Sequence, residues 1–215
     1  MTITIPDFWR LLVESRLLPP EMCQRLAQQF GSVKGAADQG NVKTLAEWLI
    51  SQNLLSRYQA TLLLAGRAGP FYYGEYKIYD RFNTPPLAGC FRAVHAGTGH
   101  PVILQFLTGE ATQNPQQWQS LAAWLLAQTK IQHPHLHRCH EVVDVSTHKF
   151  IACEELHGQS AEQLGAAGPL PARQVCGIIR QAALALGQLH AAGGVHGDLR
   201  PERIFVGPDG SVKLL

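Results

Sequence analysis

The hydrophobic pattern of this chain changes its period once, and that change decides what each part can fold into. Up to residue 68 the apolar residues recur at helical spacing. Phe8, Leu11 and Leu12 fall on one face, as do Leu45, Trp48 and Leu49. Ala65-Gly66-Arg67-Ala68-Gly69-Pro70 then interrupts the pattern with residues that favour turns, and reads as a linker. Beyond it the period shortens. Residues 73–82 alternate and are rich in tyrosine, and 91–95 and 102–107 read as two further strands around the turn Gly97-Thr98-Gly99.

The helical part carries an internal echo. Leu12-Val13-x-x-x-Leu17-Leu18 returns 37 positions later as Leu49-Ile50-x-x-x-Leu54-Leu55, and Leu26 is matched by Leu63. Each copy predicts a helix, a short turn and a second helix. Pro19 and Pro20 suit the first turn of a second helix, where a missing N–H costs nothing, and Ser56 suits the N-cap of its counterpart. Residues 31–40, rich in Gly and Ala, are expected to form an exposed loop between the copies. A short helix with one apolar stripe is unstable alone, so four of them are expected to pack together. Residues 1–68 are therefore expected to be a helical interaction or dimerisation module that folds on its own.

The rest predicts an α+β arrangement. A helix over 116–130 is followed by strands near 136–145 and 148–153. A long amphipathic helix then places Val175, Ile178, Ile179, Ala182, Leu186 and Leu189 on one face and stops at Ala192-Gly193-Gly194. Short strands at 204–206 and 211–215 flank the turn Gly207-Pro208-Asp209-Gly210.

Composition removes several classes of function. A net charge of +2 gives no polyelectrolyte signal, so nucleic acid is not an expected partner. Five separated cysteines, odd in number, suit reduced thiols better than a disulfide framework. Asp7, Arg10 and Glu14 spoil a signal peptide, and no apolar run approaches the ~18 residues of a membrane span. A soluble, cytoplasmic chain is the expectation.

The chemistry concentrates in His196-Gly197-Asp198-Leu199-Arg200-Pro201-Glu202-Arg203-Ile204. This stretch resembles the catalytic loop of the protein kinases, His-Arg-Asp-Leu-Lys-Pro-x-Asn. The order of elements before it is that of a kinase small lobe and the start of a large lobe. The resemblance covers residues 73–215, and the helical region preceding it resembles the layout of some bacterial Ser/Thr kinase-like proteins. It implies a partial protein kinase-like fold in which Val212-Lys213-Leu214-Leu215 is the strand that leads to Asp-Phe-Gly, a motif this chain stops short of.

The same resemblance assigns roles and exposes departures. Asp198 takes the place of the catalytic base and Arg200 that of the catalytic-loop Lys, a change that keeps charge but not shape. Arg203 stands where an Asn would offer magnesium an oxygen. The phosphate-cradling loop places its three glycines at Asn83, Pro85 and Ala88, and only Gly89, one place off, remains. Val102-Ile103-Leu104-Gln105 replaces Val-Ala-Ile-Lys, so Gln105 stands where the phosphate-gripping Lys would be. The helix after it holds no acidic residue to pair with such a Lys, Trp124 or a neighbour taking that place. Cys153 would be the gatekeeper, and the backbone at Glu154 and Leu156 would face an adenine. His196 and Asp198 also admit a purely structural reading, as holders of the loop's hydrogen bonds.

One tract admits another reading. In His133-Pro134-His135-Leu136-His137-Arg138-Cys139-His140, a strand would put His135, His137 and Cys139 on one face, and His and Cys bind zinc. The same residues also suit an edge-strand surface after the turn that follows the helix in kinases, and no metal is assigned.

The departures point to a pseudokinase: a protein-interaction or scaffolding module in signalling, with no cofactor, no phosphoryl transfer and protein partners. The alternative is a Ser/Thr protein kinase using ATP and Mg²⁺, with Asp198 as base. A third is a truncated product with no folded kinase-like lobe.

Overall fold

The computed structural model describes residues 3–33, 41–145 and 148–215. It divides into two compact units, Met1–Arg81 with Ala93–His100, and Phe82–Arg92 with Pro101–Leu215.

The first unit opens with four helices: α1 (Ile5–Glu14), α2 (Pro20–Val33), α3 (Val42–Ser51) and α4 (Arg57–Leu64). Polar caps start three of them. Thr4 accepts from the Asp7 N–H while the Asp7 carboxylate accepts from the Thr4 N–H, and Ser56 and Gln59 make the same reciprocal pair on α4. Asn41 caps α3 through the Lys43 N–H. The expected loop at 31–40 begins later than its composition implied. Residues 31–33 still belong to α2, and 34–40 lie outside the described residues.

The two hairpins match position by position. The caps Thr4 and Asn41, the helix starts Pro20 and Arg57, and the left-handed residues Arg16 (φ 58°) and Asn53 (φ 56°) each stand 37 positions apart. So do the buried pairs Leu12 and Leu49, Leu18 and Leu55, and Leu26 and Leu63. Both stripes enter one core with Phe8, Cys23, Phe30, Trp48 and Ala60.

That core does not end at residue 68. Phe71 is 1% exposed within it, and the pair β1 (Tyr72–Tyr73) and β2 (Tyr76–Arg81) is bonded onto the helices. Gln59, itself buried, donates from Nε2 to the Ile78 carbonyl at 2.7 Å, and the Ser56 hydroxyl donates to the Tyr79 carbonyl. The Tyr72 hydroxyl reaches the Arg16 carbonyl at 3.1 Å and Lys77 Nζ the Leu17 carbonyl at 3.3 Å. The expected linker thus lies inside one unit. β3 (Phe91–His95) is divided between the units after Arg92.

In the second unit β4 (Pro101–Leu107) precedes the short α5 (Glu110–Gln113), α6 (Pro115–Gln128), β5 (Cys139–Val145) and β6 (His148–Glu154). β6 lies between β4 and β5, antiparallel to both, with Gln105 opposite Ile151 and Cys139 opposite Cys153. β7 (Gln159–Ser160), α7 (Ala161–Ala166), α8 (Ala172–Ala191), a 3₁₀ turn at Pro201–Arg203, β8 (Ile204–Val206) and β9 (Val212–Leu214) follow, with β8 between β7 and β9.

α8 buries Ile178, Ala182 and Ala185 against Ile204, Val206, Val212 and Leu214. The stripe read from the sequence is covered only in part. Val175 is 40% and Ile179 55% exposed, so the covered strip is narrower and turned toward Ala185 and Leu189. The small residues Ala182 and Ala185 let the thin β8–β9 pair approach the helix closely.

Candidate functional site

The loop 196–203 is held in place by the end of the chain beside it. His196 donates from Nε2 to the Leu215 carbonyl at 2.7 Å, and its Nδ1 accepts from the Asp198 N–H at 3.2 Å. The Leu215 N–H returns to the Arg203 carbonyl at 2.8 Å. These bonds present the Asp198 side chain at the surface.

Two cations meet it there. Arg200 Nε lies 3.1 Å from Asp198 Oδ1 and Arg203 Nε 2.9 Å from Oδ2. The Arg203 hydrogen bond, then the charges of Arg200 and Arg203, hold the Asp198 carboxyl below its usual range. A carboxylate so engaged on both oxygens is a weak proton acceptor.

Gln105 is exposed on β4 and alternates onto the face that carries Ile103. No described residue of α6 is buried, and Trp124 is 57% exposed. α6 is tethered instead at its start, where Trp118 Nε1 donates to Asp144 Oδ2 at 2.6 Å and Lys149 lies 4.6 Å from the Trp118 ring centre.

The loop at the phosphate-cradling position closes on itself. The Phe82 N–H donates to the Cys90 carbonyl and the Gly89 N–H to the Phe82 carbonyl, both at 2.9 Å. Its Leu87 turns inward and packs with Cys90, Ile103, Leu156 and Phe205 in one buried cluster, with Phe82 and Leu215 at the margin. Of these, Leu156 is a position whose backbone was expected to face an adenine. Ile103 stands where the family pattern has Ala; Leu87 and Phe205 were not singled out from the sequence.

Cys153 is buried and faces Cys139. The Glu154 backbone, expected to face a base, is bonded within the chain. Its N–H donates to the Arg138 carbonyl at 2.9 Å, and its carbonyl accepts from His137 Nε2 at 2.9 Å. The Glu154 carboxylate takes Lys213 Nζ and the Arg138 N–H, each at 2.7 Å. Glu155 is held by Arg92 Nε at 2.9 Å. The whole segment is cross-braced.

The histidine tract is spent in the same bracing. Residues 135–137 lie alongside β9, with the Leu214 N–H donating to the His135 carbonyl and the His137 N–H to the Leu214 carbonyl, both at 2.8 Å. β5 starts only at Cys139. The His135 ring bonds the Val212 carbonyl at 3.1 Å. Among the described residues no three His, Cys, Asp or Glu side chains stand together as a ligand set.

Residues 87–215 match the protein kinase domain family. Serine/threonine-protein kinase PknA of Mycobacterium tuberculosis is 24% identical over 157 residues, 70% of this chain and 36% of that protein. CBL-interacting protein kinase 19 of Oryza sativa subsp. japonica is 25% identical over 74% of this chain and 32% of its own length. The chain thus spans about a third of the length of these two relatives. The crystal structure of the Mycobacterium tuberculosis PknI kinase domain superposes with a TM-score of 0.58 at 20% identity, covering 66% of this chain and 59% of that one.

Proposed function

Since this chain belongs to the protein kinase domain family, we propose that it is a pseudokinase of the bacterial Ser/Thr type, a protein-interaction or scaffolding module in signalling that does not transfer phosphate. The observation that carries this reading is Asp198 held between Arg200 and Arg203. Three supports join it: an uncharged Gln105, a self-closed loop, and Leu87 packed into one buried cluster with Ile103 and Phe205.

ATP and Mg²⁺ are what the family implies, and the residues present do not fit them. A magnesium ion needs oxygen ligands. The side chain at the ligand position is the Arg203 guanidinium, already bonded to the other oxygen donor nearby. Each lost transition-state charge contact commonly costs about 10²- to 10³-fold in rate. The interaction surface is assigned to the helices of residues 1–68, a tandem repeat of two hairpins, with residues 73–215 as the partial kinase-like domain. The partner is a protein.

Incubation of the full chain with labelled ATP, Mg²⁺ and protein substrates tests this. No phosphate transfer is expected, and Asp198→Asn should behave as the unmodified chain does. Transfer that disappears in Asp198→Asn would establish the rival reading of a working Ser/Thr protein kinase.

A further inference from the structure

Two thiols meet across β5 and β6. Cys139 and Cys153 stand directly opposite each other, and the next residues outward, Arg138 and Glu154, make the flanking backbone bond at 2.9 Å. That bond pattern makes the cysteines a pair that exchanges no backbone hydrogen bond of its own. In such pairs the side chains lie on one face at their closest, with Cα atoms about 4.5 Å apart. A disulfide spans Cα separations of roughly 4.4 to 6.8 Å, a range that includes the spacing of such pairs.

The two thiols are not equivalent. Cys153 is buried, whereas Cys139 is half-exposed and begins its strand beside a bulge. Cys139 Sγ reaches the Glu141 carbonyl at 3.7 Å, and the interaction of the two thiols is the leading cause of the shift in each. It lowers the pKa of Cys139 and raises that of Cys153, so Cys139 is the better thiolate and Cys153 the proton donor. Accessibility and acidity therefore coincide on one sulfur, and its resolving partner is already in place.

We propose that Cys139 and Cys153 are a modification site, closing reversibly to an intramolecular disulfide on reaction with a hydroperoxide. The Cys139 thiolate attacks a peroxide oxygen, the O–O bond breaks, and the departing oxygen takes a proton and leaves as an alcohol, or as water from hydrogen peroxide. The sulfenic acid left on Cys139 is attacked by the Cys153 sulfur, whose proton leaves with the hydroxyl as water. Two electrons pass from the sulfur pair to the peroxide, and a dithiol reverses the bond by exchange. The staple sits at the start of the braced Glu154–Leu156 segment, which it would fix further to β5.

The test uses the full native chain, treated briefly with hydrogen peroxide, blocked with a maleimide and cut with trypsin without reductant. Lys149 separates the two cysteines, so the linked species joins residues 139–149 to residues 150–173. That species is expected, two hydrogens lighter than the sum of its peptides and lost on dithiol treatment, with Cys23, Cys90 and Cys176 still recovered as blocked thiols. Cys139→Ser should abolish it and leave Cys153 a blocked thiol. Cys153→Ser should leave Cys139 as a sulfenic acid that a dimedone probe captures. A link from Cys153 to Cys90 would overturn the assignment, as would oxidation of the exposed Cys176 ahead of Cys139. Sulfinic acid on Cys139 of the unmodified chain without any linked species would overturn it too.

Discussion

At the scale of single residues, buried polar groups decide more than exposed ones. His137 is half-buried, and desolvation pushes its pKa down even though its ring bonds the Glu154 carbonyl. The unfolded chain takes up a proton near pH 6.5, where the folded imidazole stays neutral. Stability is thus fully present above that value and is lost as pH falls toward the lowered folded value. Urea midpoints of the full chain should fall from pH 7 to pH 5, and His137→Gln should flatten the fall. An unchanged slope in that variant would place the effect elsewhere. Gln59 gives a second case. Its Nε2 serves the Ile78 carbonyl and its Oε1 the Ser56 N–H. Gln59→Leu strands both partners and should cost about 1–3 kcal/mol, read from the urea midpoint. The hydrogen-bond roles of His135, His137 and Gln59 were closed to sequence reasoning. Their partners lie 77, 17 and 19 positions away, and no local pattern encodes such pairings.

At the scale of elements, the helices and strands were largely written in the sequence, and how they are covered was not. Ser56 reads as a cap because a hydroxyl before an apolar run has one obvious donor to serve, and it does cap α4. The α8 stripe reads equally well, yet Val175 and Ile179 stand in solvent. Period identifies which residues share a face without saying how wide a neighbour covers it. Likewise the departures at Gln105 and Arg203 were legible one by one. The cluster of Leu87 with Ile103 and Phe205 needed the fold to bring distant segments together, and the clamp of Arg200 and Arg203 on Asp198, though local, depends on how the loop turns. Gly158 shows how tight the joint after β6 is. Its φ is +130°, and a Cβ there would sit 2.0 Å from the Val206 carbonyl oxygen. Gly158→Ala should separate β7 from β8 and lower the thermal midpoint sharply, since strain of this kind costs about 1–3 kcal/mol before the clash is counted. A midpoint within experimental error of the unmodified chain would contradict that close approach.

At the scale of the whole molecule, the boundary drawn from composition and the boundary of packing differ. Ala65 to Pro70 has the residues of a linker, but Phe71 behind it is 1% exposed in the helical core. Phe71→Ala should therefore cost about 3–5 kcal/mol and speed amide exchange in α1 and α4, not only in the strands. Exchange confined to β1 and β2 would restore a divide at residue 68. No helix among the described residues is long and apolar enough to cross a membrane.

The matched hairpins carry a liability of their own. Caps, left-handed turns and buried leucines recur 37 positions apart, so each hairpin of one chain offers a second chain nearly the surface that its own sister offers. Two molecules refolding side by side can satisfy the same contacts by exchanging hairpins, at little energetic disadvantage. Dilution during refolding then governs whether the product is single or intertwined, and an exchanged dimer, once closed, would outlast the conditions that formed it.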